Sequence, residues 1–146
     1  MLSNPRHANG FTLLEMIVVL VLIGLIMGLV GPRLFTQADK AKVQTAETQV
    51  RMIRGALETM RLDIGRYPSA DEGLRLLVET PKDPKLATRW AGPYLDDALP
   101  LDPWKAPYQY ATQPSANQPF SLYSFGADGQ PAGEGFGTDV GFPPRK

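Results

Sequence analysis

Residues 11–30, FTLLEMIVVLVLIGLIMGLV, form an unbroken apolar run of twenty residues with one charge, Glu15. A helix of that length rises about 30 Å, the thickness of the hydrocarbon core of a bilayer. Fourteen of the twenty are Leu, Ile, Val or Phe. At about −0.3 to −0.6 kcal/mol each, they gain roughly 4–8 kcal/mol on insertion before polar residues are counted. One interfacial carboxylate does not cancel that. The run follows a polar stretch of ten residues, MLSNPRHANG, in which Arg6 is the only charge. A basic residue on that side favours a cytoplasmic start, with the bulk of the chain across the membrane.

Three kinds of processing suit such a start. A secretory signal peptide needs a small-x-small cleavage site after its apolar core. Here the run ends in Gly31-Pro32-Arg33 with Leu29 where a small residue belongs, and the better match, Thr36-Gln37-Ala38, lies well beyond it. A plain anchor gives no reason for Glu15. A cut between Gly10 and Phe11 leaves an apolar helix with a new amine four residues before Glu15. An ionisable side chain inside a membrane span is costly and usually has a partner. The run contains no Lys or Arg. The Phe11 amine could meet Glu15 of its own helix at that spacing, or Glu15 of a neighbouring helix. Low dielectric strengthens either pairing, and desolvation takes back much of the gain. An intermolecular pair would fix the axial register of one copy against the next. The plainer alternative places Glu15 at headgroup level, exposed to water.

Gly10-Phe11-Thr12-Leu13-Leu14-Glu15, with its polar leader and apolar helix, resembles the class III signal of type IV pilins and pseudopilins. The resemblance implies that a prepilin peptidase cuts after Gly10 and methylates Phe11, and that Phe11 and Glu15 serve assembly. Gly24 and Gly28 form a G-x-x-x-G pair suited to close helix approach. Gly31-Pro32 is expected to weaken or kink the helix where the apolar run ends.

The helical pattern continues beyond Pro32. Val43, Ala46, Val50, Ile53, Leu57, Met60 and Ile64 recur at spacings of three and four, with charged and polar residues between them. This predicts an amphipathic helix with one apolar stripe, so that a single helix runs from Phe11 to about Asp63. A coiled coil is conceivable, but packing on the chain's own sheet is the more economical reading. Gly65-Arg66-Tyr67-Pro68 ends the helix, and Ser69 or Asp71 caps a second one over residues 72–79, with Leu74, Leu77 and Val78 inward. Residues 80–93 read as loop. Tyr108-Gln109-Tyr110 and residues 120–125 alternate as strands do, joined by a loop over 112–119. Trp104, Tyr108, Tyr110, Phe120, Leu122 and Ser124 cannot all face inward. An aromatic-rich core beneath a small sheet is favoured over a ligand-stacking platform.

Residues 126–141, GADGQPAGEGFGTDVG, contain six glycines, and no regular helix or strand is expected there. Asp128, Glu134 and Asp139 offer hard oxygen ligands of the kind calcium takes. The signal is weak by itself, because Asp-Gly is a common turn dipeptide and the EF-hand spacing is absent.

Arg66-Tyr67-Pro68, Gly73-Leu74, Leu77-Val78, Gly92-Pro93-Tyr94-Leu95, residues 99–104 (LPLDPW) and residues 124–129 (SFGADG) are similar to the major pseudopilin family of the type II secretion system. That family usually follows the Trp with Gly-Asn, where this chain has Lys105-Ala106. The resemblance implies an α+β fold. Its long N-terminal helix has a membrane-spanning first half and an amphipathic second half, packed on a small antiparallel sheet with a Gly-rich C-terminal loop. It also implies calcium in that loop, held by Asp128, the Phe125 carbonyl and Asp139. The family often has two adjacent Asp near the end. This chain has Asp139-Val140, so Glu134 or a carbonyl would have to substitute for the second.

The implied organisation is a leader over residues 1–10, a transmembrane and filament-core helix over 11–35, and a periplasmic globular domain over 36–146. The implied role is the major subunit of a periplasmic pseudopilus. Its partners would be itself, minor pseudopilins, the inner-membrane assembly platform and the prepilin peptidase. The chain would be single-pass in the inner membrane. The alternatives are a type IV pilus or competence-filament subunit, or a membrane-anchored periplasmic enzyme or binding protein. Composition argues against the last. There is no Cys, and His7 is the only His, too near the start for a folded site. This leaves no thiol, zinc-ribbon, Ser-His-Asp or His-metal chemistry. Fifteen basic against fifteen acidic side chains argue against a nucleic-acid binder.

Overall fold

The computed structural model describes residues 11–115 and 118–144. The leader, with Gly10, lies outside the described residues. The elements are helix α1 (Leu13–Ile64), a 3-10 turn (Gly73–Leu77), helix α2 (Pro84–Ala87), strands β1 (Gln109–Ser115) and β2 (Gln118–Ser124), a second 3-10 turn (Gly135–Gly137), and strand β3 (Val140–Phe142). The chain divides into two compact units, Met1–Ala38 and Asp39–Lys146.

Within the first unit, α1 starts beside Thr12, whose Oγ1 accepts a hydrogen bond from the Glu15 N–H at 3.2 Å. The helix continues unbroken through Gly31-Pro32, where a weak point was expected. Proline removes one backbone donor but leaves the hydrogen bonds on either side of it. The Thr36 hydroxyl donates to the Pro32 carbonyl at 3.1 Å. All the large apolar side chains of residues 11–30 are at least 41% exposed. Among the described residues α1 is the one helix long and apolar enough to cross a membrane.

In the second unit α1 is one-sided. Ala46, Val50, Ile53, Leu57, Met60 and Ile64 are at most 3% exposed, as their spacing predicts. Ala56 joins them, and Val43 is half-buried. Gly65 closes the helix with φ +90° and donates its N–H to the Arg61 carbonyl, a conformation that Gly adopts without steric penalty. The stripe packs against Leu74, Leu76, Leu77, Leu95, Tyr108, Phe120 and Leu122. Burying a side chain such as Leu57 contributes about 1.5–3 kcal/mol.

The helix expected over residues 72–79 is instead a five-residue 3-10 turn. Its three-residue period keeps Leu74 and Leu77 on one face, and the segment is too short to sustain an α-helix. Neither Ser69 nor Asp71 caps it: Glu72 stands at its N-cap with no side-chain cap, and Ser69 pairs with Glu72 in the turn just before it. Glu72 Oε2 accepts from the Ser69 N–H at 2.8 Å while Ser69 Oγ accepts from the Glu72 N–H at 3.4 Å, a reciprocal box. The expected loop over 80–93 contains α2, one turn whose Asp83 cap accepts from the Lys85 N–H and whose first residue is Pro84. Asp-Pro is a sufficient start signal for so short a helix.

The sheet is antiparallel in the order β1-β2-β3. β1 and β2 run longer than the alternation suggested. The register pairs Gln109 with Tyr123 and Thr112 with Phe120, shifts, then pairs Ser115 with Gln118. Most of the expected loop over 112–119 is therefore strand; its tip, residues 116–117, lies outside the described residues. β1 is an edge strand, which tolerates Pro114. The Gly-rich segment also carries regular structure, contrary to expectation. Val140 is buried and pairs with Ser124, and Gly141 pairs with Tyr123. Gly141 fits there because a Cβ would meet the Leu122 carbonyl at 2.6 Å.

The aromatic residues close the core. Tyr108 and Phe120 are buried, and Phe120 meets Tyr67 edge-on at 4.8 Å. The Tyr110 hydroxyl donates to the Pro68 carbonyl, in the segment after α1, at 2.8 Å, and the Tyr108 hydroxyl donates to Gln49 Oε1 of α1 at 2.5 Å. Burial is the main reason that both hydroxyls titrate well above their ordinary range.

Arg66 grips Glu72 through two hydrogen bonds of 2.6 and 2.8 Å. This pairing, aided by the Ser69 donors, lowers the Glu72 carboxyl from 4.5 to about 2. An acid with a depressed folded-state value adds stability above its unfolded value and loses it as pH falls toward the folded one. Thermal melts of wild type and Glu72→Gln should therefore differ most above pH 4.5 and converge toward pH 2. A difference that stays constant across that window would refute the pairing.

Candidate functional site

Two places carry the chemistry expected from the sequence, each within one unit. The first is the opening turn of α1. Phe11, Thr12 and Glu15 sit together at its N-terminus, with Thr12 capping Glu15. A carboxylate in the first turn also favours the positive end of the helix dipole. Thr12-Leu13-Leu14-Glu15 is the first half of a capping box, a signal legible in the sequence and missed there.

The second is the loop between β2 and β3. Its two limbs are joined by the Ala127 N–H donating to the Phe136 carbonyl at 3.0 Å, and the Gly137 N–H donates to the Glu134 carbonyl at 3.0 Å within the returning limb. Gly126 has φ +74°, and a Cβ there would meet the Thr138 and Phe136 carbonyls at 2.8 and 2.9 Å. Only glycine fits so close an approach of the two limbs. Phe125 is the first residue beyond β2 and packs edge-on against Tyr123 at 5.3 Å.

Asp128 Oδ1 accepts from the Gln130 N–H at 3.1 Å. Its Oδ2 and the Gly137 carbonyl both crowd the position where a Gly133 side chain would begin. Asp139 Oδ2 accepts from the Ala132 N–H at 3.3 Å, while its Oδ1 is buried with no hydrogen-bond partner. A buried carboxylate oxygen without a donor is expensive. Glu134 stays exposed, and it is its carbonyl that closes a turn. Among the described residues no three His, Asp or Glu side chains gather closely enough to hold a metal. The donors offered along this loop are oxygens alone: the Asp128 carboxylate and the Gly137 carbonyl beside Gly133, and the Asp139 carboxylate beside Ala132. That set fits a hard cation which tolerates irregular geometry and completes its shell with water.

Asp102 holds more than its local turn. It is 2% exposed. Its Oδ1 accepts from the Trp104 and Ala106 N–H groups at 3.0 and 2.8 Å, and its Oδ2 accepts from the Ser124 hydroxyl at 2.5 Å. Its charge adds to burial in raising the Tyr108 hydroxyl.

An apolar helix with an acid in its first turn, continued as the amphipathic helix beneath a three-stranded sheet, defines the pilin-like class. A family model described as the prokaryotic N-terminal methylation motif matches residues 5–31, and one described as type II secretion system protein G matches residues 33–142. The chain belongs to the type II secretion system protein G family. The type II secretion system core protein G of Pseudomonas aeruginosa is 40% identical over 136 residues, covering 93% of this chain and 95% of that protein. The Vibrio cholerae protein of the same name is 40% identical over 140 residues, covering 96% of this chain and 94% of that one. A crystal structure of the major pseudopilin from the type 2 secretion system of enterohaemorrhagic Escherichia coli superposes with a TM-score of 0.57 at 34% identity. It covers 70% of this chain and 90% of that one.

Where the resembling family continues with Gly, Lys105 adopts φ +72°, a region that burdens residues with a Cβ. The departure therefore falls in the turn held by Asp102. Lys105→Gly should stabilise the folded chain by about 0.5–1 kcal/mol, the steric relief exceeding the added backbone entropy of the unfolded state. Chemical denaturation showing a loss of stability would contradict this.

Proposed function

We propose that this protein is the major structural subunit of a type II secretion pseudopilus, not an enzyme. It is made as a precursor, anchored once in the inner membrane by the apolar stretch of α1, cut between Gly10 and Phe11, and polymerised. The globular domain, residues 36–146, faces the periplasm. The single observation that carries this reading is the match of both halves of the chain. The methylation motif spans the Gly10-Phe11 junction and Glu15, and the protein G family covers the rest.

The physical step is a transfer of helices from lipid to one another. Lipid tails are as apolar as the helix faces, so burial alone does not drive that step, and close packing and polar contacts must favour it. Glu15 supplies such a contact. Its carboxylate, in the first turn of α1, accepts hydrogen bonds from the methylated Phe11 amine of a neighbouring copy, which sets the axial register. Minor pseudopilins and the inner-membrane assembly platform are the remaining partners, and the prepilin peptidase is the processing enzyme. In a strain carrying the secretion system, Glu15→Val should leave cleavage at Gly10 intact and abolish filaments seen by electron microscopy. Normal filaments from that variant would remove the role of Glu15.

The loop between β2 and β3 binds calcium in this reading. Asp128 and Asp139 provide the charged ligands, and the Phe125 and Gly137 carbonyls are the backbone candidates. The unpartnered Asp139 Oδ1 and the Gly133 cradle support it. A bound calcium would supply positive charge to the Asp128 and Asp139 carboxylates. Limited proteolysis should show the loop protected in calcium and cut in chelator, with Asp128→Ala cut equally in both. Unchanged protection in Asp128→Ala would refute the site.

A further inference from the structure

We propose that Asp102 and Ser124 form a positioning relay that sets the mouth of the β2–β3 loop and thereby its affinity for a divalent cation; this rests on the calcium reading of the loop. Asp102 pairs with no Lys or Arg among the described residues. A buried carboxylate of that kind costs several kcal/mol unless its oxygens are well hydrogen-bonded. Its Oδ1 already closes the 102–106 turn through two backbone donors. That task needs one acceptor oxygen, which an asparagine also has. The second oxygen is turned out of the local turn, to the fully buried Ser124 at the end of β2.

Ser124 Oγ in turn accepts from the Gly126 N–H at 3.1 Å. The chain of donors therefore runs from the Gly126 amide to the Ser124 hydroxyl to the Asp102 carboxylate. A hydroxyl that donates to a charged acceptor becomes a better acceptor itself, so the bond to Gly126 is strengthened. Gly126 is the residue whose Cα faces the Phe136 and Thr138 carbonyls of the returning limb. It lies two residues before Asp128, and Thr138 lies one before Asp139. Fixing Gly126 thus sets the spacing of the two limbs that carry the carboxylates. Residues that orient metal ligands without touching the ion typically change affinity by about 10–100-fold when removed.

The test is calcium titration by calorimetry on the full chain in detergent, with thermal midpoints measured in calcium and in chelator. Wild type, Ser124→Ala, Asp102→Asn and Asp128→Ala are compared. Ser124→Ala and Asp102→Asn should each weaken calcium binding about 10–100-fold and shrink the calcium-induced rise in melting temperature. Ser124→Ala leaves the 102–106 turn bonded, so it carries the test if Asp102→Asn fails to fold. Midpoints that drop equally in calcium and in chelator, with affinity unchanged, would make the pair purely structural and overturn the relay while leaving the calcium site standing. Absence of calcium binding by wild type would overturn the site, and the relay with it.

Discussion

One helix must satisfy two solvents. Over residues 11–30 α1 carries large apolar side chains that are all exposed. Over residues 43–64 the same helix narrows to a single buried stripe with charges elsewhere. Water cannot be the working environment of the first stretch, because a continuous apolar surface of that size marks a membrane or an assembly interface. The second stretch needs only the small sheet. The rest of the molecule follows from this division: the sheet, the leucine-rich turn and the tyrosines are arranged to cover one side of one helix.

Inside the apolar stretch Glu15 is the exception, and in the assembly proposed above it is the residue that would supply specificity. Hydrophobic surface has no register, since one helix can slide along another with little change in contact. A carboxylate that must find a cation in low dielectric favours one alignment over the others. α1 begins at Leu13, beside the proposed new terminus, and carries that carboxylate in its first turn.

Much of this was legible beforehand, for identifiable reasons. The apolar run and the stripe from Ala46 to Ile64 were readable because the 3.6-residue period and chain length are properties of the sequence itself. Gly65 marked the helix end for the same local reason. What escaped depended on neighbours. The strand over residues 112–115 lacks clean alternation and exists through its pairing with β2. Val140 and Gly141 looked like loop, yet they add a third strand because β2 offered an open edge. The bond of Asp102 to Ser124 joins positions 22 apart in sequence. For the candidate cation site, Asp128 and Asp139 could be named from composition and resemblance. The Gly133 cradle and the unpartnered Asp139 oxygen are consequences of how the loop folds back on itself. Glu134, chemically as eligible, is exposed, and its carbonyl closes the 3-10 turn.

The central claim is that the acid of α1 works beside an N-terminus made by cleavage. Intact-mass and N-terminal peptide mass spectrometry on the protein extracted from membranes of cells with an active secretion system tests it most directly. The account predicts a chain that begins at Phe11 and carries one methyl group on its amine. A chain in assembled material that still carries residues 1–10 would contradict it.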